Sequence, residues 1–469
     1  MRLLNLKKVR YNHDIYKICL DSRLCVENSI FFAIDGKNAN GDRYIYDAIS
    51  KGAKTIICEN EVDKIDNINY VLVDNVRKTL ALAAKYYYNN VSKYLKIIGV
   101  VGTNGKTSIT TIAHNFFEYL GLKSMLIGSN GVFLKNYEYN LENTTPDVLT
   151  LYQYFTLAKK EKVKYVFMEV SSIAIDQYRV FGIDFDCLIM SNFSQDHLDY
   201  HKTIDNYLFC KVLPFITLKE NGHAIINVDD ANYKHFTKFC KGKIYTYGLK
   251  NKTADYYGII NSVDENGISF YAKKLLFKSK LLGKFNLYNL LAVMPICEIF
   301  HINLRYYIGF LHWFKFIEGR MNLIKIGNKN VILDYAHTYS ATTEIITETL
   351  NLCKGNLHII IGCGGNREKE KRFMIGKYLN EISANIILTT DNPRFEDPEL
   401  IIEDIKSQID KDIKIIVNRK EAILYGLNNL KENDYLLVIG KGCEKYIDIR
   451  GTKYPYSDLE VINEFIHNQ

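Results

Sequence analysis

Six consecutive residues have the types and spacing needed to bind phosphate: Gly102, Thr103, Asn104, Gly105, Lys106 and Thr107. They follow an apolar run and precede a helical pattern, so backbone N–H groups at the start of the helix can face phosphate oxygens. Lys106 would place a positive charge near the β and γ phosphates, and the Thr107 hydroxyl would reach Mg²⁺. The commoner spacing of such loops needs glycine where this chain has Val100. The loop alone therefore predicts a nucleotide site and leaves a glycine-rich turn without a ligand as the alternative.

Polar side chains follow two apolar runs further along the chain. Glu169 ends the run in "VFMEVSS", and the run in "CLIMSNFS" leads to Asp196, His197, Asp199 and His201. Ligands of open parallel sheets bind in the crevice at the carboxyl ends of the strands, where these residues would lie. Mg²⁺ prefers oxygen ligands and phosphates, so Glu169 is the better ligand candidate and His197 the softer one. Together with the loop, these residues favour a site for ATP and Mg²⁺.

The elements that must position these residues follow an α/β pattern throughout. Residues 1–90 alternate short apolar strands with polar turns and end in an amphipathic helix, which predicts a small α/β domain. Residues 91–317 show near-continuous apolar strands separated by helices, as in a mostly parallel sheet covered on both faces. Residues 318–469 repeat this pattern. We therefore predict three α/β domains: a small amino-terminal domain, a central parallel-sheet ATPase domain and a Rossmann-like carboxyl-terminal domain.

The composition narrows the class of protein. No apolar run of the 469 residues reaches the roughly 18 that a membrane span needs, and the charged start of the chain is unlike a secretory signal. Ten cysteines occur singly with no C-x-x-C pair, which indicates a reducing cytoplasm. The net charge of +7 suits an acidic small molecule, whereas the dispersed basic residues argue against nucleic acid. We expect a cytoplasmic monomer that acts on small molecules.

The motifs resemble the Mur ligases, the ATP-dependent amino-acid ligases of peptidoglycan precursor synthesis, and specifically their MurE branch. Gly102 to Thr107 match the family's G-T-N-G-K-T loop, which explains the position of Val100, and "SNFSQDHLDYH" is similar to its T-N-L-x-x-D-H-L-D-Y-H. Lys211, fourteen residues after His197, falls where the family carries a carbamylated (N6-carboxylated) lysine. The resemblance extends in order across nearly the whole chain.

Matched position by position, the resemblance implies further site residues. It implies Mg²⁺ ligation by Thr107, Glu169, His197 and the carbamate of Lys211, and catalytic roles for Lys106, His197, Lys211 and His337. It implies contacts with ATP from Asn286, Asn289, Arg320 and Asp334 in addition to the loop. It implies contacts with the uridine nucleotide and the muramoyl part of an acceptor from Ser22, Arg23, Thr144, Thr145, Ser171 and Arg179.

The third domain bears on the amino acid that is added. "DNPR", formed by Asp391, Asn392, Pro393 and Arg394, resembles the signature of the enzymes that add meso-diaminopimelate, and Arg367, Gly440 and Glu444 match other contacts of that pocket. An arginine suits the second carboxylate of diaminopimelate, because it can donate two parallel hydrogen bonds and would repel the ammonium of lysine. The implied reaction joins meso-diaminopimelate to UDP-N-acetylmuramoyl-L-Ala-D-Glu through an acyl phosphate.

Five positions depart from the family pattern, and we expect them on the acceptor and amino-acid sides: Ile173, Tyr339, Ser340, Asn366 and Cys443. They leave open a related ligase that uses another amino acid, such as L-lysine, or another acceptor. A second alternative, from a different class, is a nucleotide-binding partner without catalysis. The retained Lys106, Glu169, His197 and Lys211 argue against that alternative.

Overall fold

The computed structural model describes residues 11, 13–36, 40–135 and 137–468, so most of the charged start of the chain lies outside the described residues. The chain divides into two compact units. One comprises residues 1–99, 122–187 and 217–222, and the other comprises residues 100–121, 188–216 and 223–469. No helix in the described ranges has the length and apolar character required to cross a membrane.

The first sheet has four parallel strands in sequential order and lies in the part of the chain where the pattern of residues 1–90 predicts a small α/β domain. Its elements are β1 (Lys17–Cys19), β2 (Ser29–Phe32), α1 (Ile45–Ser50), β3 (Ala53–Cys58), β4 (Asn69–Leu72) and α2 (Val76–Tyr87). A single 3₁₀ turn, Ser22–Leu24, follows β1 and is capped by Asp21. Helix α2 begins where the Asn75 side chain accepts a hydrogen bond from the Lys78 N–H, the usual role of asparagine at a helix start.

The central sheet has nine strands in the order β13-β12-β11-β10-β5-β9-β6-β7-β8. The strands are β5 (Lys96–Val101), β6 (Ser124–Gly128), β7 (Gly131–Leu134), β8 (Tyr137–Tyr139), β9 (Tyr165–Glu169), β10 (Cys187–Met190), β11 (His223–Asn227), β12 (Lys243–Gly248) and β13 (Tyr256–Tyr257). The helices are α3 (Lys106–Tyr119), α4 (Val148–Lys160), α5 (Ser172–Asp176), α6 (Leu198–His201), α7 (Ile204–Ile216) and α8 (Tyr233–Thr237). Strands β6, β9 and β10 are buried along their whole length, which is why they appear in the sequence as continuous apolar runs.

A small antiparallel sheet follows, which the sequence pattern does not predict. Its strands are β14 (Ile259–Asp264), β15 (Gly267–Ala272) and β16 (Leu275–Ser279). Two helices come next, α9 (Lys284–Ile299) and α10 (Leu304–Trp313).

The last large sheet has six strands in the order β17-β18-β22-β19-β20-β21. Its strands and those of the ribbon that follows are β17 (Asn322–Ile326), β18 (Lys329–Asp334), β19 (Leu357–Ile361), β20 (Asn385–Leu388), β21 (Lys414–Ile415), β22 (Tyr435–Ile439), β23 (Tyr446–Ile449) and β24 (Thr452–Pro455). The helices are α11 (Tyr339–Leu352), α12 (Glu370–Glu381), α13 (Pro398–Lys406), α14 (Arg419–Asn429) and α15 (Asp458–His467). Separate apolar clusters cover the sheet's two faces.

The register of this sheet explains where its loops converge. Asp334 pairs with Ile439, Ile360 with Val438, and Ile361 with Leu388, so β18, β22, β19 and β20 run parallel and end at one edge. The loops after these four strands carry most of the predicted site residues of the region. The α/β class and the parallel sheets are confirmed, and the domain boundaries stay a prediction.

Candidate active site

The loop Gly102–Thr107 joins β5 to α3, and the segment after β10 holds it in place. Thr103 N donates to Asn192 O at 2.9 Å, and Asn104 N donates to Asn192 Oδ1 at 2.9 Å. Ser191 Oγ donates to Asn104 O at 2.6 Å. The shape of the loop is therefore set by contacts with a neighbouring strand end as well as by its own sequence.

Two glycines of the loop are required by close approach. A Cβ at Gly102 would collide with the side chain of Ser191, and one at Gly105 would lie 2.7 Å from Asn289 Oδ1. Gly105 also has a φ of 84°, a left-handed conformation that glycine adopts without a steric penalty. Val100, by contrast, is fully buried within β5. The chain thus has glycine where the backbone needs it, and valine at position 100 is a core residue.

Lys106 and Thr107, at the start of α3, lie where phosphates would bind. Lys106 Nζ donates to the carbonyl oxygens of Gly102 and Thr103 at 2.9 and 2.7 Å, which holds the ammonium against the loop. Thr107 Oγ1 accepts a 3.0 Å hydrogen bond from Arg320 Nη2. An arginine from the start of the last sheet region thus reaches the phosphate loop.

Asn286 and Asn289, on the first turns of α9, have different surroundings. Asn289 lies beside Gly105 and donates to Asn286 Oδ1 at 2.9 Å. Asn286 is fully buried and donates to Leu282 O at 2.8 Å. Asn289 is the one next to the loop, and Asn286 orients it.

Asp334 is the last residue of β18, and His337 lies in the segment that follows this strand. The Asp334 carboxylate accepts hydrogen bonds from the Met321 and Ala336 N–H groups at 2.7 and 2.6 Å, while its burial raises the pKa of Asp334. These bonds shape the backbone around Arg320. The His337 side chain reaches the surface, and desolvation by the protein around it, together with the positive charges of Lys371 and Arg320, lowers the pKa of its imidazole to about 4.

The segment after β10 holds His197 in a left-handed conformation with a φ of 55°. Asp196 Oδ1 accepts from His197 N at 2.9 Å, and Asp196 Oδ2 lies 3.3 Å from His197 Nε2. Burial, together with the positive charge of Arg367, lowers the pKa of His197 to about 4 despite the nearby Asp196. A neutral imidazole is the form that ligates metals. Glu368, which the sequence reasoning missed, accepts from Leu198 N at 2.7 Å and anchors the same segment.

Lys211 is a buried lysine on α7 with only 2% of its surface exposed. Its Nζ lies 4.6 Å from the centroid of the Tyr207 ring, and the Tyr207 hydroxyl is 3.2 Å from Thr103 Oγ1 in the phosphate loop. Burial, reinforced by the positive charge of Lys106, lowers the pKa of Lys211 well below its ordinary value. The amine is therefore held close to the loop in a setting that disfavours the ammonium.

Glu169 lies at the end of β9, as the sequence predicts, and is 1% exposed. Its Oε1 accepts from Ser129 N at 2.8 Å, and Ser129 Oγ is 3.0 Å from Thr144 Oγ1. Thr145 Oγ1 donates to the Glu169 carbonyl at 2.8 Å. The carboxylate and the two predicted threonine contacts thus form one polar cluster.

Ser171 and Arg179 join this cluster through Thr145. Ser171 N donates to Thr145 Oγ1 at 3.1 Å, and Arg179 Nη1 donates to Thr145 O at 2.8 Å. Ser22 and Arg23 lie in a different sheet region, in the turn after β1, where Arg23 makes a bidentate pair with Asp21.

The four predicted metal ligands come from both compact units. Thr107, His197 and Lys211 belong to one unit and Glu169 to the other, so their common site stays a prediction. Within the described residues, no three side chains of the His, Cys, Asp or Glu type meet as a ready metal centre.

At the edge of the last sheet, Lys441 connects the predicted amino-acid contacts. It is fully buried, and its Nζ donates to Asn392 Oδ1 at 3.0 Å and to Glu444 Oε2 at 3.1 Å. Asn392 Nδ2 donates to Glu444 Oε2 at 2.9 Å, and Asp391 lies 3.5 Å from Lys441 Nζ. Sequence reasoning missed Lys441, although a lysine between two glycines at a strand end was a usable signal.

Gly440 and Pro393 lie at the same end of the sheet, where close packing involves the backbone of each residue. Gly440 has a φ of 118°, and a Cβ there would lie 2.8 Å from Asp391 Oδ2. The Pro393 carbonyl packs so closely on Gly365 that no side chain fits at position 365. Both contacts keep the loops of neighbouring strands close together.

Arg394 has a left-handed backbone with a φ of 51° and is anchored on two sides. Its Nη1 donates to Gly365 O at 2.6 Å, and its Nε lies 3.9 Å from Asp448 Oδ2 on β23. It lines a groove of about 1080 Å³. Arg367 has a different neighbour: its Nη1 lies 3.9 Å from Asp199 Oδ2, in the segment that holds His197.

Two of the departing residues, Ser340 and Cys443, lie near Asn104 and Gly319. Ser340 Oγ is 3.4 Å from Asn104 Nδ2 and 3.2 Å from Ser194 Oγ, because the first turn of α11 faces the phosphate loop. The backbone of Cys443 packs against Gly319, next to Arg320. The expectation that all five departures belong to the acceptor and amino-acid sides is therefore wrong for Ser340, which lies beside the Gly102–Thr107 loop, whereas the placement of Cys443, the residue before Glu444, stays a prediction.

The other departures have different neighbours. Asn366 Oδ1 accepts from Phe395 N at 3.0 Å, beside Arg394. Ile173 lies on α5, next to Ser171.

Comparison with known families matches two parts of the chain. Residues 100–297 match the Mur ligase middle domain, and residues 319–442 match the Mur ligase glutamate ligase domain.

Named relatives are similar to the chain over almost its full length. It is 34% identical to the UDP-N-acetylmuramoyl-L-alanyl-D-glutamate–2,6-diaminopimelate ligase of Phocaeicola vulgatus, over 98% of this chain and 96% of the relative. It is 36% identical to the ligase of the same name from Aquifex aeolicus, over 96% of this chain and 93% of the relative.

Solved structures give the same result. A structure of a ligase of that name has a TM-score of 0.69 and 30% identity, covering 97% of this chain and 95% of its own. MurF ligase from Thermotoga maritima in complex with ADP has a TM-score of 0.64 and 19% identity, covering 96% and 97%, and supports the fold alone.

Proposed function

Because this chain belongs to the Mur ligase family of ATP-dependent ligases, we propose that it joins meso-diaminopimelate to UDP-N-acetylmuramoyl-L-Ala-D-Glu in peptidoglycan precursor synthesis. The observation that carries the proposal is the full-length likeness to relatives named for that reaction, in a chain that retains Arg394. L-lysine or another acceptor is the alternative.

The proposed reaction first makes the acceptor's terminal carboxylate reactive. The carboxylate attacks the γ-phosphorus of ATP, which forms an acyl phosphate and releases ADP. The amine of diaminopimelate then attacks the acyl carbon, and the tetrahedral intermediate collapses to an amide as phosphate leaves. Lys106, held on the loop, lies where it can neutralise charge on the transferred phosphoryl group.

Mg²⁺ would neutralise phosphate charge and orient the oxygens of ATP. Three side chains carry groups that can ligate Mg²⁺: the Thr107 hydroxyl, the Glu169 carboxylate and the neutral imidazole of His197. We propose these three residues as ligands, with Lys211 as the fourth after modification.

Carbamylation of Lys211 is supported by its surroundings. A neutral amine attacks CO₂ to give a carbamate with release of one proton, and burial favours the neutral amine here. The product is an anion, which can ligate Mg²⁺ where an ammonium would be repelled. This explains why a lysine is retained in a buried position beside the phosphate loop.

The amino-acid side of the proposal rests on Arg394. Its guanidinium is held by Gly365 and Asp448 at the edge where Asn392 and Glu444 meet. A guanidinium fixed in this way can donate hydrogen bonds to the second carboxylate of diaminopimelate, whereas it would repel the ammonium of lysine.

We also propose a cytoplasmic monomer without a nucleic-acid partner. Support comes from the sequence, in which the cysteines occur singly and the basic residues are dispersed.

The test is a panel of amino acids assayed with UDP-N-acetylmuramoyl-L-Ala-D-Glu, ATP and Mg²⁺, scored by phosphate release and product mass. We expect a product with meso-diaminopimelate that needs both acceptor and amino acid, and none from a Lys106→Ala variant. Preference for L-lysine would overturn the proposed amino acid. The absence of phosphate release and of product with every amino acid would favour the non-catalytic alternative.

A further inference from the structure

Two cysteines flank the short segment that carries Ser22 and Arg23. Cys19 is the last residue of β1, and Cys25 follows the 3₁₀ turn Ser22–Leu24. Cys19 Sγ lies 3.5 Å from Leu24 O, and Cys25 Sγ lies 3.9 Å from Asp21 O, so each sulfur reaches the opposite end of the segment. Both side chains are buried in the same core cluster.

The two sulfur atoms also interact with each other. An interaction with the Cys25 side chain lowers the pKa of Cys19 to about 7 despite its burial, with further help from Ser29 and Lys17. The same interaction, together with burial, raises the pKa of Cys25. One sulfur of the pair is therefore favoured as a thiolate, the nucleophilic form, and the other as its proton donor.

We propose that Cys19 and Cys25 form a redox modification site that closes into an intrachain disulfide when the protein meets a peroxide. The Cys19 thiolate attacks one peroxide oxygen, breaks the O–O bond and becomes a sulfenic acid as hydroxide leaves. The Cys25 sulfur then attacks Cys19, forms the S–S bond and releases water, its thiol proton going to the departing oxygen. Two electrons pass from the two sulfurs to the peroxide.

The segment provides a route for the oxidant. Between the buried cysteines, the Arg23 side chain is 82% exposed and Leu24 is 57% exposed. The turn is three residues long, and local opening of such a segment costs less than global unfolding. Because Cys19 is the last residue of β1, opening of the turn would expose it at the end of the strand.

The consequence for acceptor binding rests on the proposed function. Ser22 and Arg23 are the proposed contacts of the uridine nucleotide, and the disulfide would enclose both in a small ring. That ring restricts the turn to fewer conformations. We expect oxidation to raise the KM of the UDP-linked acceptor by about tenfold and to leave the KM of ATP unchanged.

The experiment uses the full-length protein, treated with hydrogen peroxide, alkylated under denaturing conditions and digested with trypsin. Cleavage after Arg23 separates the two cysteines into peptides 18–23 and 24–37, so the disulfide appears as one linked pair of peptides that reduction splits. We expect this linked pair from the wild-type protein. Two separately alkylated peptides after oxidation would overturn the proposal.

Variants distinguish this site from general thiol oxidation. In Cys25→Ser, Cys19 should accumulate as a sulfenic acid that dimedone traps, whereas Cys58→Ser, a change in the same core cluster, should still give the linked pair. Loss of the linked pair in Cys58→Ser would count against the proposal. If the pair forms and the ligase reaction is absent, the proposed function fails and the modification site stands.

Discussion

Arg320 Nη2 donates a 3.0 Å hydrogen bond to Thr107 Oγ1 across 213 residues of sequence. The guanidinium also lies 4.4 Å from the centroid of the Tyr335 ring, in the segment after β18. Asp334 shapes that segment by accepting hydrogen bonds from Met321 N and Ala336 N. The contact thus joins the Gly102–Thr107 loop to the start of the last sheet, beside the proposed site of phosphoryl transfer.

Replacing Arg320 should therefore weaken catalysis with ATP. We expect Arg320→Ala to lower kcat/KM for ATP by about 10- to 100-fold, since a hydrogen bond from a charged donor contributes about 1.5–3 kcal/mol. Steady-state phosphate release at varied ATP measures this. Arg305→Ala removes an exposed arginine on α10 and should behave like the wild type. Equal values for the two variants would contradict the role of Arg320.

Lys211 should be modified and essential. We expect ¹³C-labelled bicarbonate to give the wild-type protein a carbamate signal in the NMR spectrum, and Lys211→Ala to lose both this signal and phosphate release. A short carboxylic acid in the buffer should restore part of the lost activity, because it replaces the missing anion. The exposed Lys238→Ala variant serves as the control and should keep both. An active Lys211→Ala enzyme would disprove the assignment.

Arg394 should act through binding of the amino acid. Arg394→Ala should raise the KM for meso-diaminopimelate by about 10- to 100-fold with a smaller effect on kcat, because the lost contact is to a carboxylate remote from the reacting amine. Initial rates at varied amino acid measure both constants. Lys406→Ala removes a surface charge from α13 and should leave them unchanged. A large fall in kcat alone would show that Arg394 supports the chemistry instead.

Asp434 should make stability depend on acidic pH. Although burial alone would raise it, hydrogen bonds from Asn356 N, Lys431 N and His358 lower the pKa of Asp434 in the folded protein. Its contribution is therefore present above the unfolded pKa of about 4 and is lost as pH falls through the lower folded value.

In urea denaturation, Asp434→Asn should be about 1–3 kcal/mol less stable than the wild type at pH 7. The gap should narrow as the pH falls below about 4, because the carboxylate is then protonated first in the unfolded chain and, at lower pH, in the folded protein. Glu432→Gln, an exposed neighbour, is the control and should show no such gap. A gap that stays constant from pH 7 to pH 3 would rule out the carboxylate's charge as its cause.

Several parts of the fold and site could be predicted because their signals are local. The apolar run before Gly102, the helix that starts at Lys106 and the position of Glu169 at the end of β9 are all as predicted. Strands β14 to β16 were missed, because their exposed face interrupts the apolar run that marks a buried strand. Lys441 was missed because its burial depends on tertiary packing, although its place between two glycines after β22 was a usable signal.

The sequence by itself determined the α/β class, the loop Gly102–Thr107 and the family motifs, since each rests on residue patterns that are local along the chain. Only the tertiary structure decided that Arg320 meets Thr107, that Ser340 faces Asn104 and that Cys19 and Cys25 share one core. The physical reason is that such contacts depend on packing between distant segments and on the order of strands in a sheet. That order, β18-β22-β19-β20 in the last sheet, is not a property of any local pattern.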